Sequence, residues 1–304
     1  MPELPEVETI RRDLAAALTG RRFLSVDILS PKMVWPRTTF FKRELAARRI
    51  LGVDRRGKLL IFRLSPLKKS TRVNKKNKAV AFDYLLIHLK MTGQLIYQSK
   101  KLVVAGGHSL AKSSNISRDL PNKYTRAIFY FKAGGRLFFN DLRKFGYLKL
   151  SSKLELDNLI ARNYGPEPLT PAFTVSALQR IFKNKKIKIK AALLDQKLIA
   201  GLGNIYVDES LFAARILPTR LASSLTASEI KKLWQSIQRI IRLAIINRGT
   251  TFSDYRDSAG RSGNFSRYLK VYGRTKEKCS HCGHAILKVK LAGRGTHYCA
   301  HCQK

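Results

Sequence analysis

Acidic residues are scarce in this chain of 304 residues. Asp and Glu number 20 against 59 Lys and Arg, a formal net charge of +39. That excess is far beyond what solubility requires and points to a polyanionic partner. Nucleic acid is the simplest; a membrane surface and the ribosome are the competing readings. Cysteine is absent before residue 279, so no disulfide framework runs through the chain. Nor is there an apolar run long enough to span a bilayer, and the N-terminus is acidic rather than signal-like. These absences lead us to expect a soluble intracellular protein. At 304 residues and 44% hydrophobic content it can bury a sizeable core, in about two domains by length.

What is present begins at the first residues, Met1-Pro2-Glu3-Leu4-Pro5-Glu6-Val7-Glu8. Pro2 is small, so removal of Met1 is expected, leaving a free secondary amine. Such an amine can form an iminium with a sugar aldehyde or at an anomeric carbon, and Glu3 beside it can move protons. Pro5 suits the first turn of a helix, Val7, Ile10, Leu14 and Leu18 recur at helical spacing, and Gly20 can end it. The amine would then sit near a positive helix end, which disfavours its protonation. An ordinary capped helix with surface acids fits the same residues.

All four cysteines lie at the other end, as Cys279-Ser280-His281-Cys282 and Cys299-Ala300-His301-Cys302. Two CxxC pairs separated by sixteen residues (283–298) match a zinc-ribbon spacing. Each turn sets two thiolates on one side of a metal. Disulfides are the alternative, and they fit an intracellular chain poorly. One structural Zn2+ could supply roughly 10–16 kcal/mol of apparent binding free energy to fold so short a segment. His281, His284 and His301 read as ribbon residues, because four cysteines already fill the shell.

Between these ends the chain changes character. Short alternating runs at 22–30, 48–64, 80–90, 94–98, 125–132 and 136–149 predict strands, with Gly134-Gly135 as a turn. Together with the first helix they predict a two-layer β-sandwich. Two stretches interrupt it and read as mobile loops: 66–79, with six basic residues and no acid, and 99–123, rich in Ser, Gly, Asn and Lys. Beyond 151–171, which holds a short helix near 154–159 and the turn 165–171, helices are predicted at 173–182, 190–199, 205–215 and 226–247. The fold class is α+β multidomain. We expect a sandwich domain over 1–150, a linker over 151–171 and a helix–two-turn–helix domain over 172–249. A connecting loop over 250–272 and a zinc finger over 273–304 complete the chain.

Three segments could touch a nucleic acid. Gly201-Leu202-Gly203-Asn204 lies between helices, where glycines would let backbone N–H groups approach a phosphate; an ordinary interhelical turn is the alternative. Met91, after His88, and Phe145, after Arg143, sit on turns beside cations. They could be wedges pushed into a base stack or simply core residues at strand ends.

The run PELPEVETIRR, Arg56-Gly57-Lys58, HLKMTGQL, DLRKFG, GPEPL, DQKLIAGLGNIYVDESLFAARILP and VYGR before the finger recur in one order. In this the chain resembles the formamidopyrimidine-DNA glycosylase (Fpg) family over nearly its whole length. The resemblance implies a bifunctional glycosylase and abasic-site lyase of base-excision repair. Its partner would be double-stranded DNA containing 8-oxoguanine, formamidopyrimidines or abasic sites, and a monomer is expected. It implies that Pro2 attacks C1′, Glu3 is the general acid/base and Lys58 a catalytic, phosphate-contacting lysine. Arg294 would serve the second elimination. Met91, Arg143 and Phe145 would fill the gap left by the extruded nucleotide, and Lys185 and Asn204 would contact phosphates. His88 and Tyr124 fall in DNA-contacting positions, and residues 252–268, with Gly260, Gly263 and Asn264, match a loop that closes over the flipped base. Lys90, Leu142, Lys144 and Tyr124 depart from the usual glycine, proline, arginine and histidine. An endonuclease VIII type acting on oxidised pyrimidines, or a non-catalytic binder of damaged DNA, would share the scaffold.

Overall fold

Alternation of apolar and polar residues turns the first half of the chain into paired sheets. The computed structural model describes residues 2–66, 81–100, 102–107, 120–250 and 263–304. These form two compact units. The loop expected at 66–79 lies, but for Pro66, outside the described residues, as does 251–262, including Gly260.

The first unit opens with helix α1 (Leu4–Leu18), whose residues from Glu6 onward belong to it. Strands β1 (Phe23–Ile28) and β2 (Val34–Trp35), helix α2 (Thr38–Leu45), and strands β3 (Ile50–Arg56), β4 (Leu59–Leu64) and β5 (Tyr84–His88) follow. Then come β6 (Gly93–Gln98), β7 (Val103–Gly107), β8 (Thr125–Phe131), β9 (Arg136–Asp141) and β10 (Tyr147–Ser151). They build two five-stranded sheets, ordered β1-β8-β9-β6-β7 and β2-β10-β5-β4-β3. Alternate residues face one core: Leu95, Tyr97, Phe129 and Phe139 from one sheet, Leu60, Phe62, Leu85 and Ile87 from the other. Val7, Ile10, Leu14 and Leu18 of α1 join that core, as their helical spacing predicts.

Strand β7 corrects the reading of 99–123 as a loop throughout. Its residues pair with β6 from Gln94↔Gly107 to Gln98↔Val103 and close the sheet edge. Gly106 is needed there for space: a Cβ would stand 2.4 Å from Cγ1 of Ile10 on α1. A stretch rich in Gly and Ser thus has weak strand propensity because a helix lies on it. The rest of that stretch, from 108 to 119, lies outside the described residues.

After α3 (Lys153–Asn163), the second unit holds α4 (Val175–Phe182), α5 (Ile189–Leu194), α6 (Asn204–Ala214) and α7 (Ala227–Ile246). Thr226 and Glu229 form a reciprocal capping box at the start of α7. Its stripe of Ile230, Leu233, Ile237, Ile241 and Ala244 packs with Leu178, Phe182, Leu193, Val207 and Leu211. Leu4, from the first residues of the chain, is buried in this same core. Phe265 also packs there, and Phe265–Tyr268 form a single 3-10 turn, so the segment 252–268 ends in packed structure rather than loop. The chain closes with the hairpin β11 (Leu287–Leu291) and β12 (Arg294–Tyr298) between the two CxxC turns.

Candidate active site and metal centre

In the first unit, cationic and apolar side chains gather at the ends of β3–β4, β5 and β9. Lys58 lies in the two-residue turn between β3 and β4 and is buried. His88 ends β5 and pairs across the sheet with Leu59 and Tyr147. The Lys90 backbone N–H donates to His88 Nδ1 at 3.0 Å, which puts the ring proton on Nε2. Burial, then the charges of Lys90 and Lys58, push the His88 pKa down to about 3, so the ring is neutral at physiological pH. Lys90 adopts a left-handed backbone with φ +50°. That conformation is free for glycine and costs a lysine about a kilocalorie or more per mole, which explains the glycine usual at this place.

Asp141 organises the neighbouring turns. Fully buried at the end of β9, it accepts hydrogen bonds from the Thr92 hydroxyl, from Arg143 N at 3.1 Å and from Gly146 N at 2.7 Å. The turn after β5 and the turn after β9 are thereby fixed to one carboxylate. Arg143 Nη1 lies 3.1 Å from Met91 Sδ, and its guanidinium stands 4.5 Å from the centre of the Phe145 ring. Phe145 is 51% exposed although nothing polar about it requires water. Met91, Arg143 and Phe145 are therefore one assembled, solvent-facing cluster, which settles the choice between core and surface for Phe145. Glu8 of α1 is structural: it accepts from Arg11, Arg12 and Arg55. Burial alone would raise its pKa, but these three guanidiniums hold it at about 2.

In the second unit, the glycine turn before α6 receives the start of the chain. Glu3 is buried, and its carboxylate accepts from Ile205 N at 3.0 Å and Tyr206 N at 3.4 Å. Those are the first free N–H groups of α6, at the positive end of its dipole. Gly203 makes the approach possible, since a Cβ there would lie 2.2 Å from Glu3 Cδ. The turn read from sequence as a phosphate cradle thus already holds a carboxylate.

A sealed ionic network lies under the finger hairpin. Lys190 Nζ is 2.6 Å from Asp208 Oδ1, with both side chains fully buried. Asp208 Oδ2 accepts from His297 N at 2.9 Å. Burial pulls the Lys190 pKa down, and the Asp208 charge opposes that. Lys190 Nζ and Asn204 Nδ2 both donate to the Gly295 carbonyl, at 3.2 and 2.9 Å. Arg294, the residue before it, is exposed beside the turn Ala292-Gly293, where both residues have positive φ. Glu209, next to Asp208, takes the backbone N–H groups of Lys270, Val271 and Tyr272. The base of the hairpin is thus tied to α5 and α6 by buried charges.

The four cysteines converge as their spacing predicts. Cys279 and Cys302 sulfurs are 3.9 Å apart, and Cys282 and Cys299 sulfurs 3.5 Å. A tetrahedron of Zn–S bonds near 2.3 Å has edges of roughly 3.8 Å, so the set fits Zn2+. Burial and neighbouring sulfurs push Cys302 upward, while at Cys279 hydrogen bonds from the backbone of His281 and Cys282 outweigh burial and bring it to about 7. A divalent cation bound among the four would hold all of them as thiolates. With the shell complete, the ion has no open position for substrate or water, and its part is structural.

Comparisons with known proteins agree along the whole length. Residues 1–148 match the profile of the formamidopyrimidine-DNA glycosylase N-terminal domain, 164–256 that of the H2TH domain, and 276–304 that of a zinc finger found in FPG and IleRS. The formamidopyrimidine-DNA glycosylase of Pelotomaculum thermopropionicum is 41% identical over 307 residues, covering 100% of this chain and 99% of that one. The chain belongs to the formamidopyrimidine-DNA glycosylase family. The Fpg of Desulforamulus reducens is 40% identical over 308 residues, covering 100% of this chain and 99% of that one. Among solved structures, Lactococcus lactis Fpg bound to abasic-site DNA has a TM-score of 0.82 at 35% identity, covering 100% of both chains. A Lactococcus lactis Fpg mutant bound to Fapy-dG DNA has a TM-score of 0.82 at 36% identity, also covering 100% of both chains.

Within this Fpg chain the expected site residues fall into two sets. The first unit holds Pro2, which is buried, with Lys58, His88, Met91, Tyr124, Arg143 and Phe145. Of these, His88 feels the charge of Lys58, and Tyr124 joins the turn cluster through its carbonyl, which accepts from Asp141 N. The second holds Glu3, Asn204 and Arg294 with the cysteines, and also Lys185, exposed between α4 and α5. Sequence reasoning passed over Asp141, Thr92, Lys190, Asp208 and His297. A lone Asp inside a motif is a weak signal, and Lys190 closes the basic run 183–190, so neither stood out from its neighbours.

Proposed function

We propose that this Fpg-family chain excises oxidised purines with the amine of Pro2 as nucleophile. Once Met1 is removed, the amine attacks C1′ of the damaged nucleotide. The glycosidic bond breaks, its electron pair leaves with the base, and the sugar opens to a Schiff base on Pro2. β-Elimination and then δ-elimination cut the strand on both sides. Glu3 moves the protons from a position fixed by two backbone N–H groups. Lys58 holds phosphate and supports the chemistry, and Arg294 serves the second elimination. Lys185, Asn204, His88 and Tyr124 contact the DNA.

Extruding a nucleotide costs roughly a few kcal/mol, and less for a damaged base. Met91, Arg143 and Phe145 offset that cost by entering the vacated stack, for which their assembly on one surface is suited. The chain is a DNA glycosylase and abasic-site lyase of base-excision repair acting on formamidopyrimidine and oxidised purine lesions. Such a substrate places its work at the nucleoid, in the cytoplasm. Its partner is duplex DNA, held by a charge of +39 and therefore released by salt. The observation that carries this reading is full-length similarity to Fpg proteins in a chain that keeps Pro2 and Glu3.

Strand cleavage on a panel of duplexes tests it. Formamidopyrimidine and 8-oxoguanine should be cut in preference to oxidised pyrimidines, and Pro2→Gly should weaken cleavage far more than binding. Equal loss of both, or a preference for pyrimidines, would overturn the assignment.

A further inference from the structure

The end of α6 away from Asn204 carries a groove whose rim has no part in the DNA chemistry above. Asn204 heads α6 and Arg215 caps its other end, about 16 Å along a helix of this length. There α6, α7 and the finger enclose a cavity of about 420 Å3. Phe212, Ile240, Leu243, Phe265 and Tyr268 make its walls apolar and largely aromatic. Glu209 is the acid at this cavity, and it is buried, its carboxylate taken by the backbone N–H groups of Lys270, Val271 and Tyr272. It repels a second carboxylate from the interior, which is left for a neutral, apolar group.

The rim is cationic. Arg215, Arg239 and Lys270 border the cavity. An adjoining depression of about 400 Å3 shares Arg215 and Arg239 with it and adds Lys232 and Gln235. Lys232, Gln235, Arg239 and Leu243 follow one another at three- and four-residue steps, so one face of α7 runs from the cations into the apolar wall. All four basic residues are exposed. Among the described residues, none of their side chains is hydrogen-bonded or paired with an acid.

We propose that this groove docks an acidic segment of a partner protein. One aromatic side chain of that segment seats in the cavity, and its carboxylates spread over Arg215, Lys232, Arg239 and Lys270. An aromatic anchor brings a large apolar area with few rotatable bonds, and aromatic walls suit it. Duplex DNA matches the rim but not the cavity, because its bases are stacked and its backbone has no apolar group to insert. A second copy of the chain brings its own charge of +39 and is repelled. An acidic peptide with an aromatic residue matches both parts.

The test is fluorescence anisotropy on the full, zinc-loaded chain at physiological salt. The probe is a dye-labelled, C-amidated peptide in which aspartates flank a tryptophan, beside the same peptide with alanine for tryptophan. The tryptophan peptide should bind about tenfold more tightly. Lys232→Glu combined with Arg239→Glu should weaken it by about tenfold or more, with melting temperature and cleavage of an 8-oxoguanine duplex unchanged. Lys32→Glu combined with Lys42→Glu, the same change of charge on exposed lysines of the first unit, should leave peptide binding near wild type. One equivalent of lesion duplex should leave the peptide in place. Equal binding of the two peptides, or equal loss in the two charge-reversed chains, would overturn the proposal. Displacement of the peptide by that duplex would overturn it too, and would make the groove a DNA surface.

Discussion

Arg143 in the first unit lies exposed across the Phe145 ring, while Lys190 in the second is sealed from water against Asp208. Both are cations beside a segment proposed to contact DNA, yet the physics is opposite. The first unit fixes the backbone of its turns, through the buried carboxylate of Asp141, and leaves the side chains of Arg143 and Phe145 facing solvent against each other. The second buries the charges themselves and uses them to fix a hairpin whose one exposed arginine, Arg294, is then aimed from a rigid base. A wedge that must enter a base stack needs a firm turn and a free tip. An arginine that must reach a defined atom needs a firm arm.

The contrast can be broken most severely at Lys190. Lys190→Met strands Asp208 as an uncompensated buried charge and should cost about 3–5 kcal/mol, read by denaturant unfolding. Adding Asp208→Leu should recover part of that loss; no recovery would mean that packing, not charge, holds the hairpin. Gly203→Ala comes next. Its Cβ would displace Glu3 from the α6 N-terminus, costing about 1–3 kcal/mol of stability and more activity than DNA binding. Equal loss of both would separate Glu3 from the chemistry. Phe145→Ala should leave stability within about 0.5 kcal/mol and lower cleavage of duplex lesions roughly tenfold, ~1.4 kcal/mol. Cleavage of a single-stranded abasic site, which needs no extrusion, should be less affected.

His88 is tested by pH rather than by substitution. Its folded pKa is depressed to about 3 from 6.5, so the fold prefers the neutral ring. The associated stability is complete above pH 6.5 and falls away as pH drops from 6.5 toward 3, because the unfolded chain takes up the proton first. Between pH 5 and 8 the His88 ring signals should not titrate by NMR. A titration near 6.5 would show that neither burial nor the charges of Lys90 and Lys58 act on the ring.

Much of the fold was legible before the structure. The apolar spacing of α1, the alternating strands and the four-cysteine pattern all follow from periods and spacings that local chemistry sets. Strand β7 was not legible, because Gly106 is selected by contact with Ile10 rather than by strand propensity. Helix α2 (Thr38–Leu45) was missed as well; it is short and has no side-chain cap. At the site, the residue types were legible and their partners were not. The glycines before Asn204 suggested a phosphate cradle, whereas Glu3 occupies those N–H groups from 202 positions away. A contact of that range leaves no local trace. The same holds for Lys190 with Asp208 and for Asp141 with Thr92, each joined by tertiary structure alone.

The central claim is that Pro2 is the nucleophile. Borohydride reduction of the Met1-free chain with a duplex carrying 8-oxoguanine opposite cytosine, followed by mass mapping of the adduct, tests it most directly. The account predicts a covalent adduct on the nitrogen of Pro2. An adduct on Lys58 or any other lysine, or none at all on a zinc-loaded chain, would contradict it.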